Sequence, residues 1–286
     1  MCPSVLSGEW GIARVERLPL PCWVLFADGV NQSMRPTNVR FYVRGYLRAR
    51  GFGRAPVIIG GCERSGTTLL QSILSAHPRI HAIADELWAF CHGPPAGFRG
   101  ARPIRMGRLY KYLGQYPIQP VAHRWSEKSP ANIYYFDAIR RHFGGDVRLV
   151  QIVRDGRDVV SSMHPGNQFK PWVSIRRWVA SMQAGLRYRN DPSVFTLRYE
   201  DLVLNHVPSV RSLCRFLDED YTEEMSDWHV NATIRRSENL LDGTVQRLHS
   251  RSVRKFETPN FAHGALVNEL LADGDARTLL EIYGYL

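Results

Sequence analysis

Cysteine is scarce in this chain. Five residues, at positions 2, 22, 62, 91 and 214, are odd in number, widely spaced and without a Cys-x-x-Cys pair. That pattern excludes a disulfide framework and a cysteine-based metal site, and it suits reduced thiols in a cytoplasmic protein. A long apolar run is also missing: the most apolar N-terminal stretch, Cys22 to Ala27, is too short to span a bilayer, and no basic region leads into it. A soluble protein without a transmembrane segment is therefore expected. The sequons at Asn31 and Asn231 would matter only after secretion. No low-complexity tract, internal repeat, zinc-finger spacing or RNA-binding aromatic signature occurs, so nucleic acid is not an expected partner.

What remains is an ordinary globular composition. With 286 residues, 44% hydrophobic and 22% charged, the chain can bury one sizeable core, and a single domain is expected. The formal charge of +10 favours an anionic partner but does not choose among nucleotides, glycans and membranes.

Residues 1–54 carry Pro19, Pro21 and Pro36 and a basic stretch from Arg35 to Arg54, and read as a lead-in to a main domain over 55–286. Val57-Ile58-Ile59 is a β-branched run stopped by Gly60-Gly61, and Leu69, Leu70, Ile73 and Leu74 follow at helical spacing. Ser129-Pro130 suits the start of a helix running to about His142, with Ser129 as cap. Val147 to Val153 is nearly continuous apolar sequence, as in a parallel strand buried on both faces, and Asp155 with Asp158 can cap the helix after it. Trp172, Ile175, Val179, Met182 and Leu186 give an amphipathic helix, and Val194 to Leu197 a short strand. Alternating strands and helices predict an α/β fold, a mainly parallel central sheet flanked by helices.

Two segments carry chemistry. Gly60 to Leu70 lies between a predicted strand and a predicted helix, where backbone N–H groups and the hydroxyls of Ser65, Thr67 and Thr68 can cradle a phosphate. It lacks the Gly-Lys-Ser/Thr of a nucleotide triphosphatase, and its basic residue, Arg64, precedes the glycine, Gly66. The second, Val150 to Ser162, closes a strand with Arg154 and opens a helix, which brings Ser162 two turns along it to meet Arg154 at one oxyanion.

Arg64-Ser65-Gly66-Thr67-Thr68 resembles the 5′-phosphosulfate loop of sulfotransferases that use 3′-phosphoadenosine-5′-phosphosulfate (PAPS), particularly the tyrosylprotein and bacterial branch. The resemblance covers residues 56 to 202. It implies a P-loop-like fold, sulfuryl transfer from PAPS with PAP as product, and no metal. It implies that Arg64, Ser65, Gly66, Thr67 and Thr68 hold the 5′ end, that Arg154 and Ser162 read the 3′-phosphate, and that Tyr199 lies near the adenosine. After Ala76-His77-Pro78 the family carries an acidic base, for which Glu86 is favoured over Asp85; Lys128 in Glu127-Lys128-Ser129-Pro130 stands for a lysine beside the sulfuryl group. Arg64 and Lys128 would stabilise developing charge. A C-terminal basic strip is represented by Arg251, Arg254 or Lys255. The acceptor stays open among carbohydrate, lipid, natural product and peptide tyrosine. Tyr110, Tyr112, Trp125, Trp172 and Trp178 are candidate cleft residues, and His77, His81, His92 and His123 are lesser candidate bases. The alternative is a non-catalytic nucleotide- or glycan-binding module on the same fold.

Overall fold

The computed structural model describes residues 36–91, 104–164, 166–234, 250–259 and 261–286. Five parallel strands form one sheet: β1 (Val57–Gly61), β2 (Ile80–Ala82), β3 (Arg124–Lys128), β4 (Arg148–Val153) and β7 (Val194–Arg198), in the order β2-β3-β1-β4-β7. A hairpin of β5 (Met163–His164) and β6 (Asn167–Pro171) stands apart. β1 is the centre, with Ile58 opposite Glu127 on one side and Leu149 on the other.

Burial on both faces explains the unbroken apolar runs of β1 and β4. Val57, Ile59, Val150 and Ile152 pack on one face beneath helices α2 (Thr67–Ser75) and α8 (His206–Leu217). Ile58 and Leu149 face the opposite layer, which holds α3 (Met106–Gln115) and α4 (Phe136–His142). Burying an aliphatic side chain of this size stabilises by about 1.5–3 kcal/mol, so these alternating sets fix the register. A third cluster, beyond the ends of β1 and β4, joins Cys62, Val153 and Val159 to Trp178 and Met182 of α6 (Ile175–Leu186), Leu270 of α11 (Gly264–Ala272) and Leu279 and Leu280 of α12 (Gly274–Ile282).

The lead-in region contributes α1 (Pro36–Gly51), which crosses α3 so closely that a Cβ on Gly45 would lie 1.7 Å from the Tyr110 carbonyl oxygen. Residues 1–35, with Asn31, Cys2 and Cys22, lie outside the described residues. The described cysteines, Cys62, Cys91 and Cys214, are buried and form no disulfide with one another. No described helix is long and apolar enough to cross a membrane.

Three local expectations are corrected. The segment after Ser129 opens as a 3₁₀ turn, Pro130–Tyr135, before α4, and the Ser129 side chain does not cap it. That hydroxyl is engaged by Glu127 instead. Trp172 precedes α6, which Ser174 caps through the Arg177 N–H. Finally, α5 (Gly156–Val160) is only five residues long, so Ser162 lies past its end rather than two turns along it.

Candidate active site

The chain leaves β1 toward β2, past β3, and leaves β4 toward β7 on the opposite side, so the connections diverge from the carboxyl ends of β1 and β4 and open a crevice between them. The loop filling that crevice runs from Cys62 to Gly66. Arg64 and Gly66 both adopt left-handed backbone, with φ of 66° and 96°. This successive reversal turns the backbone into the start of α2. Tyr199 explains why residue 66 is glycine: a Cβ there would lie 2.5 Å from its ring. Ser65 is fully buried and its hydroxyl has no hydrogen-bond partner among the described residues. Leaving such a group unmatched costs about 1–3 kcal/mol, and a bound oxyanion would satisfy it. Thr67 is buried and Thr68 partly so, both in the first turn of α2, where the helix dipole favours negative charge.

At the end of β4, Arg154 lies flat on the Tyr199 ring, 4.1 Å from its centroid. Its Nη1 donates to the Arg64 carbonyl oxygen at 2.7 Å and its Nη2 to the Ser252 carbonyl oxygen, while Nε is buried without a partner among the described residues. Tyr199 and Ser252 share a 2.6 Å hydrogen bond. Asp155 caps α5 through the Arg157 N–H at 2.9 Å. Asp158, expected to share that task, does something else: its carboxylate accepts the backbone N–H groups of Arg254 and Lys255 at 2.8 and 3.0 Å. This folds the 250–257 segment over the site. Lys255 Nζ then donates to Ser162 Oγ at 3.0 Å.

The three C-terminal candidates thus separate. Lys255 enters the site, whereas Arg251 is exposed and Arg254 turns outward, 3.9 Å from Glu257. Burial depresses the Lys255 ammonium to about 8, with Arg154 adding to the shift, Asp158 opposing it and Arg64 contributing further. A cation held this way gains from any anion placed beside it. The Arg64 guanidinium stands over Trp172, 5.7 Å from the ring centroid, and Trp172 stacks on His164 at 4.6 Å.

On the β3 side of the crevice, Lys128 Nζ donates to Glu86 Oε1 at 2.6 Å. The lysine side chain is 3% exposed and the glutamate 28%, so the pair is desolvated on one side and open on the other. Asp85 makes no such pairing with Lys128. Residues 83–88 form no helix; hydrogen bonds hold them from several elements, with Ile83 N donating to Ser126 O at 2.9 Å and Ala84 N to the Tyr112 hydroxyl at 3.1 Å.

A model of the sulfotransferase family matches residues 56–108 and 102–223, well over half of the chain and spanning both sides of this crevice. The chain belongs to the sulfotransferase family. No curated protein matches it, but solved sulfotransferases share its architecture. The sulfotransferase domain from the Synechococcus PCC 7002 olefin synthase aligns over 82% of this chain and 96% of its own, at 17% identity and a TM-score of 0.53. The sulfotransferase domain from the curacin biosynthetic pathway aligns over 82% and 98%, at 16% identity and a TM-score of 0.49. Mouse sulfotransferase SULT7A1, solved in complex with PAP, aligns over 84% and 94%, at 15% identity and 0.46.

Within this sulfotransferase fold several sequence candidates fall away from the crevice chemistry. Tyr110, Tyr112 and Trp125 are core residues, and Trp178 is fully buried with its indole N–H on the Arg154 carbonyl oxygen at 3.3 Å. His77 is buried against the Asp220 carbonyl oxygen at 3.0 Å. His81 stacks on Phe52, and burial pulls its imidazole down to about 4. His123 meets Glu219 at 2.7 Å, and His92 lies outside the described residues. Sequence reading assigned no role to Glu127 or Glu200 and only a capping role to Asp158. All three are buried carboxylates, and all three hold backbone N–H groups of the loops around the crevice.

Proposed function

We propose that this sulfotransferase moves a sulfuryl group from PAPS to a hydroxyl or amine of an acceptor drawn from carbohydrates, lipids, natural products or peptide tyrosines. The observation that carries the reading is the group of Arg154, Lys255 and Ser162 at the end of β4: Lys255 lies on the Ser162 hydroxyl, Arg154 is near enough to depress the Lys255 ammonium, and a buried Arg154 N–H is unmatched among the described residues. That donor set fits a phosphate dianion. The loop of Ser65, Gly66, Thr67 and Thr68 then suits the 5′ end, with its N–H groups, the Ser65 hydroxyl and the α2 terminus as donors.

The chemistry is an in-line displacement. The acceptor oxygen or nitrogen bonds to sulfur as the bond from sulfur to the bridging phosphate oxygen breaks, and PAP departs with that electron pair. Glu86 accepts the acceptor proton as attack develops. Lys128 and Arg64 stabilise negative charge growing on the sulfuryl and leaving oxygens, and in a desolvated crevice such fixed charges act more strongly than in water. The Glu86–Lys128 contact sits where both tasks meet.

Calorimetry tests the donor. PAP should bind about tenfold to a hundredfold more tightly than adenosine 5′-phosphate, because losing a charge-assisted contact costs about 1.5–3 kcal/mol. Equal affinities would remove PAPS as the donor. Transfer of radiolabelled sulfate from PAPS to pooled acceptors separates the enzyme from a binding module, which would bind PAP and transfer nothing.

A further inference from the structure

Glu127 is fully buried one residue before Lys128, on the central-sheet strand that ends at the crevice. Each of its acceptors is used. Oε1 receives the Ser129 hydroxyl at 2.6 Å and the Leu87 backbone N–H at 3.3 Å; Oε2 receives Asn132 Nδ2 at 2.8 Å. The same Asn132 amide reaches the Ile59 carbonyl oxygen of β1 at 3.0 Å, so the carboxylate is braced against the sheet centre. Ser129 Oγ receives the Trp88 backbone N–H at 3.3 Å, and Trp88 has left-handed backbone with φ of 51°. Residues 87 and 88 are therefore gripped by 127 and 129, while the side chains of 86 and 128 meet between them.

We propose that Glu127, with Ser129 as its partner, is a positioning residue that holds Glu86 against Lys128 by fixing the two peptide groups that follow Glu86. The proposal rests on the functional reading above. A buried carboxylate is expensive to desolvate, and burial pushes Glu127 up to about 6 against the pull of Ser129, Asn132, the Leu87 N–H and Lys128. A neutral core residue would fold more readily at that position. What the carboxylate supplies is three directed acceptor contacts, two of them leading to the strained turn beside Glu86. Without them residues 86–88 lose their tether to β3, and the 2.6 Å ion pair loses its fixed geometry.

Lysine labelling tests this without an acceptor, since the chain has only four lysines, Lys111, Lys128, Lys170 and Lys255, and each can be followed by mass spectrometry. Intact folded protein is pulsed with acetic anhydride. Lys128 should react slowly in wild type and severalfold faster in Glu86→Gln. Glu127→Gln and Ser129→Ala should raise it comparably, with exposed Lys111 and Lys170 unchanged. In Glu86→Gln/Glu127→Gln the rate should not exceed that of Glu86→Gln, because both changes release the same contact. Ser129→Ala keeps the test open if Glu127→Gln folds poorly. Wild-type Lys128 labelling in both Glu127→Gln and Ser129→Ala, or rate increases that multiply in the double variant, would overturn the positioning role. The same proteins titrated with PAP and adenosine 5′-phosphate report separately on the functional reading. Loss of selectivity between the nucleotides, with the labelling pattern intact, sinks the donor assignment and not the geometry.

Discussion

The two walls of the crevice are charged in opposite styles. Along the β4 wall, Arg154 and Lys255 stand beside Asp158 and Glu200, whose carboxylates are turned to backbone N–H groups, so neither cation has a carboxylate ion-paired to it among the described residues. Along the β3 wall, Lys128 is matched one to one by Glu86. Cations without a paired carboxylate bind an anion and hold it. A matched pair binds little, yet its two members can separate their duties when bonds rearrange, one taking a proton and the other following negative charge. On the proposed function, the difference assigns one wall to gripping the donor and the other to acting on it, and mutations on the two should have separable effects.

The sharpest break is Glu86→Gln. Removing the basic oxygen while preserving shape should reduce the rate of PAP formation from PAPS by about 10²–10⁴, with PAP affinity nearly unchanged. Asp85→Asn serves as control, since Asp85 does not pair with Lys128. If Asp85→Asn abolishes turnover and Glu86→Gln does not, the base is the neighbour. A comparable loss of PAP affinity in Glu86→Gln would erase the division between the walls.

Gly66→Val probes how the gripping wall is built. The new Cβ would collide with the Tyr199 ring and adopt a disfavoured positive φ. Overpacking of this kind costs about 1–3 kcal/mol, with a similar backbone penalty. A lower melting temperature is expected, with weakened PAP binding in the protein that remains folded by circular dichroism, because Tyr199 supports Arg154. Unaltered PAP binding would uncouple the loop from the Arg154 platform.

The smallest effect is a pH dependence. Lys255 is depressed to about 8 in the free protein, and a neighbouring dianion raises it. The protonated form is then favoured in the complex. PAP affinity should stay level between about pH 7, where the phosphate is dianionic, and pH 8, then fall as pH rises further. Lys255→Met should flatten that limb. A wild-type affinity that is flat to pH 10 would remove Lys255 from the grip.

How much of this was readable beforehand varies with the kind of contact. The strand, loop and helix around residues 57–75 were legible because burial on both faces writes itself as Val57-Ile58-Ile59, and a tight turn as Gly60-Gly61. The expectation that Ser162 would stand two turns along a helix from Arg154 missed the local structure: the helix is five residues long, and the Ser162 hydroxyl, past its end, meets Lys255. Lys255 could not be chosen over Arg251 and Arg254, because its placement depends on Asp158 gripping backbone 96 and 97 residues away, and N–H groups leave no mark on sequence. Glu127 was hidden by its neighbour: in Glu127-Lys128-Ser129-Pro130 the lysine drew attention, and only burial shows that the glutamate is working inward. Tyr110, Tyr112, Trp125 and Trp178 were core, as large rings most often are, whereas Trp172 stands beneath Arg64.

The 250–257 flap has a consequence for how the protein comes to be competent. Ser162 meets Lys255 across 93 residues, Arg154 meets Ser252 across 98, and Arg64 meets Arg154 across 90. Contacts between segments so remote along the chain repay their loop-closure entropy only when the intervening structure is already in place. A form with the sheet assembled but the 250–257 segment undocked would therefore lack the Lys255 side of this wall. If this wall takes the donor as proposed, nucleotide affinity would report on completed folding, and donor binding would favour the docked segment by mass action.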